Sequence, residues 1–451
     1  MYIKYINMSS KYIEIVPTNV PANGKISFKN GHPVIQFLLG ASEHLLLGSS
    51  IRLQGDMKCY ISPTGGAGSA PDPDAASSAD ALTMDCFNGI YSTMDQLVIK
   101  NVGQFSTIEH IKNYNRFMAS YLPISTSSED ALGHFGETAL TMPNHTLMKS
   151  AVVDWSGDGT STKRNDFCVH LPCGMFLGQQ PIYLGENGIN GIVIEVHLAP
   201  DADVFFPKDG GVDGSTLTDA FYEFTNLKLT AELIAPDAGQ LKQLSSSSGN
   251  TYQYNSISSY YTSINSALSV VNFNLGLKNV LGVFANFIEA ARINNWNYNG
   301  MDTRFLHNSD NSAAYIKNLT FTRGGVKFPD NFDTQTIQKT NADNTTTDPA
   351  VIRQFVNAIT QYSKQSRTQI SPYNTYQNDA AVDTNWTEGR VLGGIGMAYD
   401  QVSGQGVDFS NQNWGCQIEC NLITDNPTGM YLFVHSKQTL VFNKSGLQIL
   451  K

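Results

Sequence analysis

From Ile51 to Ile61, Ile51, Leu53, Gly55, Met57, Cys59 and Ile61 alternate with Arg52, Gln54, Asp56, Lys58 and Tyr60. Successive side chains of a strand point to opposite sides of its sheet, so this period of two predicts an antiparallel sheet with one dry face, which must pack on a second sheet. The rhythm returns in Ile192, Ile194, Val196 and Leu198, in Leu227, Leu229, Ala231 and Leu233, and in Trp414, Cys416, Ile418, Cys420 and Leu422. Further strands are predicted near Lys25–Phe28 and over Val34–Leu39, Gln96–Asn101 and Leu268–Leu275. The stretch from Trp414 to Leu450 reads as a meander with turns at Asp425–Gly429 and Asn443–Gly446.

Three stretches carry helical spacing instead. Ser106 and Glu109 have the offset of a capping box, and Ile108, Ile111, Asn115, Met118 and Leu122 lie beyond it on one side. Leu277, Val280, Leu281, Phe284 and Ile288 predict an amphipathic helix over 277–291. Asp348-Pro349 reads as an N-cap followed by proline at the first helical position, with Ile352, Phe355, Ile359 and Tyr362 behind it.

Pro236-Asp-Ala-Gly239 and Ser245-Ser-Ser-Ser-Gly-Asn250 interrupt the pattern near the middle, and a chain of 451 residues is too long for one ordinary core. The division this predicts is an N-terminal arm, 1–24, a first β-sandwich, 25–235, a linker, 236–252, and a second β-sandwich, 253–451. The fold class is all-β, with a few short helices in the connections. Segments 62–82, 123–165 and 329–348 have the composition of long polar loops.

A net charge of −10 with 15% charged residues disfavours a surface that neutralises phosphates, so no direct nucleic-acid partner is expected. Cys59, Cys416 and Cys420 fall on the apolar side of their strands, and a strand separates Cys416 from Cys420 by roughly 13 Å at ~3.3 Å per residue, too far for a disulfide. That pattern suits a reducing compartment. Met1–Val16 mixes Lys4, Lys11 and Glu14 with its apolar residues and lacks a signal-peptide core, and no membrane partner is expected. The six sequons, at Asn7, Asn144, Asn318, Asn344, Asn385 and Asn443, are what an Asn-, Ser- and Thr-rich chain produces by chance.

Candidate chemistry is sparse. Cys168, His170 and Cys173 could supply three zinc ligands, but no second pair completes a tetrahedral site, so no metal is expected. Asp154–Gly159 faintly resembles a calcium loop without its alternating carboxylates or terminal Glu. Glu195 and His197 share the wetter face of a strand, as an acid–base pair would, though most such pairs are solvated or interfacial. Gly65–Gly68, Asp209–Gly214 and Gly393–Gly396 read as turns rather than phosphate cradles. The common hydrolase signatures are absent, so no catalytic, cofactor-binding or metal-ligating residue is expected.

Three runs carry a family resemblance: Ser266–Phe287 (SALSVVNFNLGLKNVLGVFANF), Val20–Phe28 (VPANGKISF) with Ser50–Gly55 (SIRLQG), and Thr439–Ile449 (TLVFNKSGLQI). They resemble major capsid proteins of the double jelly-roll kind, as in virophages and polinton-like viruses. The resemblance implies two tandem jelly-roll sandwiches standing side by side and a homotrimeric capsomer of six-fold outline. It implies neighbouring capsomers and minor capsid or penton proteins as partners, and a place in the icosahedral virion of a DNA virus assembled inside the host cell. The chain is short for that family, which implies low loop towers. Tyr2, Ile3, Tyr5 and Ile6 make the N-terminal arm a segment expected to dock on a neighbouring subunit or a minor capsid protein. Rival readings are a lectin-like or fibre-like glycan-binding sandwich and a β-sandwich glycosidase, which would need two carboxylates about 5–10 Å apart in a cleft.

Overall fold

The computed structural model describes residues 9–29, 31–61, 82–85, 88–126, 134–140, 166–178, 180–207, 220–246, 250–295, 299–301, 315–327, 334–335, 349–363, 394–399, 404–421, 428–443 and 446–450. In the first half, β1 (Ser10–Ile15), β2 (Val34–Leu39), β3 (Leu45–Ile61), β4 (Met94–Asn101), β5 (Thr107–Lys112), β6 (Asp166–His170), β7 (Ile192–Leu198) and β8 (Ala220–Ile234) form two antiparallel sheets. Their orders are β1-β8-β3-β6 and β2-β7-β4-β5. Both halves share one plan. The second half repeats the first with β9 (Asn250–Ile264), β10 (Leu268–Asn274), β11 (Val280–Glu289), β12 (Tyr315–Arg323), β13 (Val326–Lys327), β14 (Gly394–Ala398), β15 (Asn413–Asn421) and β16 (Thr428–Asn443). Here the orders are β9-β16-β11-β14 and β10-β15-β12-β13, so each strand sits where the strand eight earlier sits in the first half. This is the jelly-roll order twice, and the fold is a double jelly roll.

The alternation read from the sequence sets which face is dry. Ile51, Leu53 and Met57 of β3 point into the first sandwich with Ile35 and Phe37 of β2 and Ile194 and Val196 of β7. Val271, Phe273, Val283, Phe287, Trp414, Cys416, Ile418, Leu432 and Val434 fill the second. The side chains of Cys59 and Cys420 lie outside the described residues.

Several expectations are corrected. The helix expected from Ser106 begins at Tyr114: Thr107–Lys112 is strand β5, paired with β4, and Asn113 turns the chain in the left-handed region (φ 53°) into α1 (Tyr114–Ser125). The expected helix over 277–291 is strand β11. Val283, Ala285 and Phe287 enter the second sandwich, while Phe284 and Ile288 face the other way into the core shared with the first half, so both faces of the strand are apolar. Burial on both faces erases the period of two and leaves apolar spacing that imitates a helix.

The Ser-rich break is partly helical. Asp237 and Gln240 cap α2 (Ala238–Ser246) reciprocally, Gln240 N donating to Asp237 Oδ1 at 2.8 Å and Asp237 N to Gln240 Oε1 at 3.3 Å. The predicted meander is broken too, because β15 and β16 belong to different sheets; the hairpin pairs β16 with β17 (Gly446–Leu450). The strand expected at Lys25–Phe28 reduces to one bridge, Ile26 to Phe224. Within segment 1–24, Ser10–Ile15 pairs with β8, while residues 1–8 lie outside the described residues. Loop 62–82 lies outside them except Leu82, and 329–348 except Thr334 and Gln335. Of segment 123–165, residues 123–126 and 134–140 are described, and they hold the end of α1 and a short helical stretch, His134–Ala139, rather than loop. The helix announced by Asp348-Pro349 is present as α3 (Pro349–Ser363).

The outer face of β9-β16-β11-β14 is covered by helices, one from each half. Phe117 of α1 lies 5.6 Å from Phe433 and 6.1 Å from Phe284, and Phe355 of α3 lies 6.3 Å from Phe284, ring centre to ring centre. Replacing Phe433, wholly buried in this cluster, by Ala should lower unfolding free energy by about 3–5 kcal/mol. Urea denaturation monitored by tryptophan fluorescence checks this, and a loss under ~1 kcal/mol would mean that the helices do not seal the sheet.

Candidate functional site

The most densely bonded place in the molecule is the seam where the two rolls meet. Edge strand β5 of the first roll faces edge strand β9 of the second, and side chains rather than a main-chain ladder join them. Tyr254 Oη donates to Ile108 O at 3.1 Å, Lys112 N donates to Ser259 Oγ at 3.1 Å, and Tyr252 Oη donates to Met175 O at 3.0 Å. Two open edges thereby satisfy each other without fusing the sheets.

Glu109 sits at the centre of the seam, 2% exposed. Its Oε1 accepts from Gly174 N (3.1 Å) and Ile257 N (3.0 Å), and its Oε2 from Met175 N (3.0 Å). One carboxylate thus holds a short helical turn, Gly174–Leu177, and strand β9 of the other roll. Glu109 does cap a helix N-terminus, as its spacing from Ser106 suggested, but on a distant segment. Burial pushes its pKa up, against the downward pull of the Ile257, Met175 and Gly174 amides. Beside it, burial and then the Glu109 charge drive the Cys173 thiol well up. Gly174 is required sterically: a methyl group there would overlap the main-chain oxygen of Asn255.

A second polar cluster lies under α1. Arg116, buried at its guanidinium, reaches Asp203 (3.4 Å) and stacks over the Tyr431 ring of β16 (5.0 Å). Asn286 Nδ2 of β11 donates to Arg116 O (2.8 Å) and Ser120 Oγ (3.0 Å), and Asp203 Oδ1 accepts from Asn294 N (2.6 Å). Asn299 Nδ2 donates to buried Asp85 (2.8 Å). At the far end, Leu447 N of β17 donates to Gln104 Oε1 at 3.2 Å. Sequence reading missed these residues; the one visible signal was an arginine inside an otherwise apolar helical run.

The sequence candidates fall apart in space. Cys168 and His170 share the face of β6 that points away from the core, next to Gln54 and Arg52, whereas Cys173 turns into the seam against Glu109. Burial and the Arg52 charge lower His170 to a pKa of about 3. Glu195 is engaged by Lys100 Nζ (2.7 Å) and Gln36 Nε2 (3.1 Å), with His197 Nε2 further off at 3.8 Å, forming a cross-strand ladder. Gly394–Gly396 is in strand β14 rather than a turn, and Gly396 lets α3 approach, since a Cβ there would lie 3.0 Å from Phe355 Cα. Asp154–Gly159, Gly65–Gly68 and Asp209–Gly214 lie outside the described residues. Among the described residues, no three His, Cys, Asp or Glu side chains gather to hold a metal, and no helix is long and apolar enough to cross a membrane.

No protein-family model matches the chain, and no curated protein does. Solved structures match across its length. One is from the cryo-EM structure of the Sputnik virophage, with a TM-score of 0.56 and 13% identity, covering 100% of this chain and 90% of that one. A second is from the PBCV-1 virus capsid, with a TM-score of 0.55 and 9% identity over 100% and 98%. A third is the Faustovirus major capsid protein, with a TM-score of 0.54 and 9% identity over 98% and 92%. The double jelly roll expected from the sequence is the fold these chains share.

The seam yields two expected outcomes. Because Glu109's folded pKa is raised, its contribution to stability is fully present below the ordinary Glu value and is lost as pH rises through the folded value. Thermal melts should therefore show the gap between the native chain and Glu109→Gln widest near about pH 4 and narrowing toward about pH 8; a gap that widens would mean the three amides outweigh burial. Gly174→Ala should cost at least ~1–3 kcal/mol in urea denaturation, whereas Gly40→Ala, where a methyl group meets open space, should be near neutral.

Proposed function

We propose that the chain is a major capsid protein, a subunit whose work is self-assembly into the icosahedral shell of a DNA virus. The observation that carries this reading is the strand-for-strand repetition of one jelly roll, with the two copies locked side by side by the Glu109 seam. A rigid pair of like rolls gives three-fold symmetry a nearly hexagonal footprint, the shape that tiles a closed shell. Full-length likeness to chains from the Sputnik and PBCV-1 particles and to the Faustovirus major capsid protein supports it.

On this reading the partners are two further copies in a homotrimer, then neighbouring capsomers, then minor capsid or penton proteins. The N-terminal residues Tyr2, Ile3, Tyr5 and Ile6 are the segment we assign to docking outside the subunit. The join between the rolls falls in segment 236–252. The protein works without catalysis, its location is the virion, and trimer interfaces of obligate size, on the order of 2,000 Å² or more, supply the assembly energy.

Light scattering and negative-stain microscopy of the expressed protein test this. Three copies per particle with a six-lobed outline are expected. A monomer at every concentration that binds glycans would overturn the reading in favour of a lectin-like protein.

A further inference from the structure

The seam inside the chain joins two surfaces, and each has a counterpart at the opposite end of the molecule. On the second roll the seam uses β9, whose place in the first roll is taken by β1. On the first roll it uses β5, whose place in the second is taken by β13. The counterparts match in register. Asn250 opposes Phe442 at the end of β16 as Ser10 opposes Ile234 at the end of β8, so Tyr252 and Tyr12, two residues further on, are equivalent. Both tyrosines lie on the face of their sheet turned away from its own sandwich core.

Their surroundings differ sharply. Tyr252 is 3% exposed, covered by the Gly174–Leu177 turn of the first roll. Tyr12 is 75% exposed and Val16, just past β1, 69%. On the other counterpart, Val326 of β13 is 65% exposed, whereas Ile108 and Glu109 of β5 are buried in the seam. The molecule thus buries one copy of a two-sided contact and displays both halves of a second.

We infer that the β1 edge of one copy is the seat of the β13 edge of the next, so that the seam within the chain recurs between chains. This rests on the capsid reading and specifies its trimer contact. The two halves lie on different rolls, so the contact is heterologous; if it repeats the rotation already present between β5 and β9, the ring closes on three chains with alternating internal and external seams. Tyr12 then fills against the neighbour the role that Tyr252 fills within the chain. The polar outer face of β1-β8-β3-β6, with its Lys228–Glu14 ion pair (2.7 Å), borders this edge as a hydrated rim.

The test uses the full chain carrying Tyr12→Asp with Val16→Asp, and separately Val326→Asp, in sedimentation velocity over a concentration series. Each should weaken trimer formation by at least ~30-fold while keeping the native far-UV circular dichroism. Leu268→Asp, at an equally exposed apolar position on β10, should leave the trimer intact. Mixing the two defective chains, each with one sound edge, should give a one-to-one dimer and no trimer, which a misfolded variant could not do. Variants that trimerise like the native chain, or that fail to associate on mixing, would overturn this placement and leave the capsid reading standing. A native chain that never trimerises would sink the capsid reading itself.

Discussion

The sheet β9-β16-β11-β14 has no wet face, and the remaining architecture is arranged around that constraint. Met430, Leu432 and Val434 of β16 enter one core while Tyr431 and Phe433 enter another. A sheet apolar on both sides must be covered twice. The second roll covers the inner side with its own partner sheet. The outer side needs α3 from its own chain segment and α1 lent by the first roll, so two sandwiches that could have been beads on a string become one body.

Polar groups drawn into such a junction must all find partners, and here a few residues serve many. Glu109 answers three amides from two segments, Arg116 is held by Asp203 and the Tyr431 ring, and Asn286 reaches across to the backbone and hydroxyl of α1. Concentrating the polar contacts in this way fixes the relative position of the rolls more narrowly than apolar packing alone, because hydrogen bonds have preferred distances and angles and apolar contacts slide.

Strands with one wet face were legible in the sequence: Val34–Leu39 and Ile192–Leu198 occupy the predicted residues. Legibility ends wherever tertiary burial changes the pattern. Val280–Glu289 has the apolar spacing of a helix because both its faces are dry, and Ser106–Glu109 looks like a cap on its own helix because a capping carboxylate shows its spacing but not its partner. The seam itself was invisible, since Glu109, Gly174 and Ile257 are brought together by topology and have no shared local signal. Nearness along the chain misleads in the opposite sense at Cys168, His170 and Cys173, which lie within six positions of one another yet are divided between two faces.

The borrowed cover has a consequence for synthesis. A ribosome releases the N-terminal roll first, and that roll completes both its sheets from residues 10 to 234 without any contribution from the C-terminal one. The later roll has no such independence, because one wall of its central sheet stays bare until α1 is already in place. Biogenesis is therefore directional: the earlier half acts as an intramolecular chaperone for the later one, and reversing their order along the gene would leave the dependent half waiting, unshielded, for its guardian.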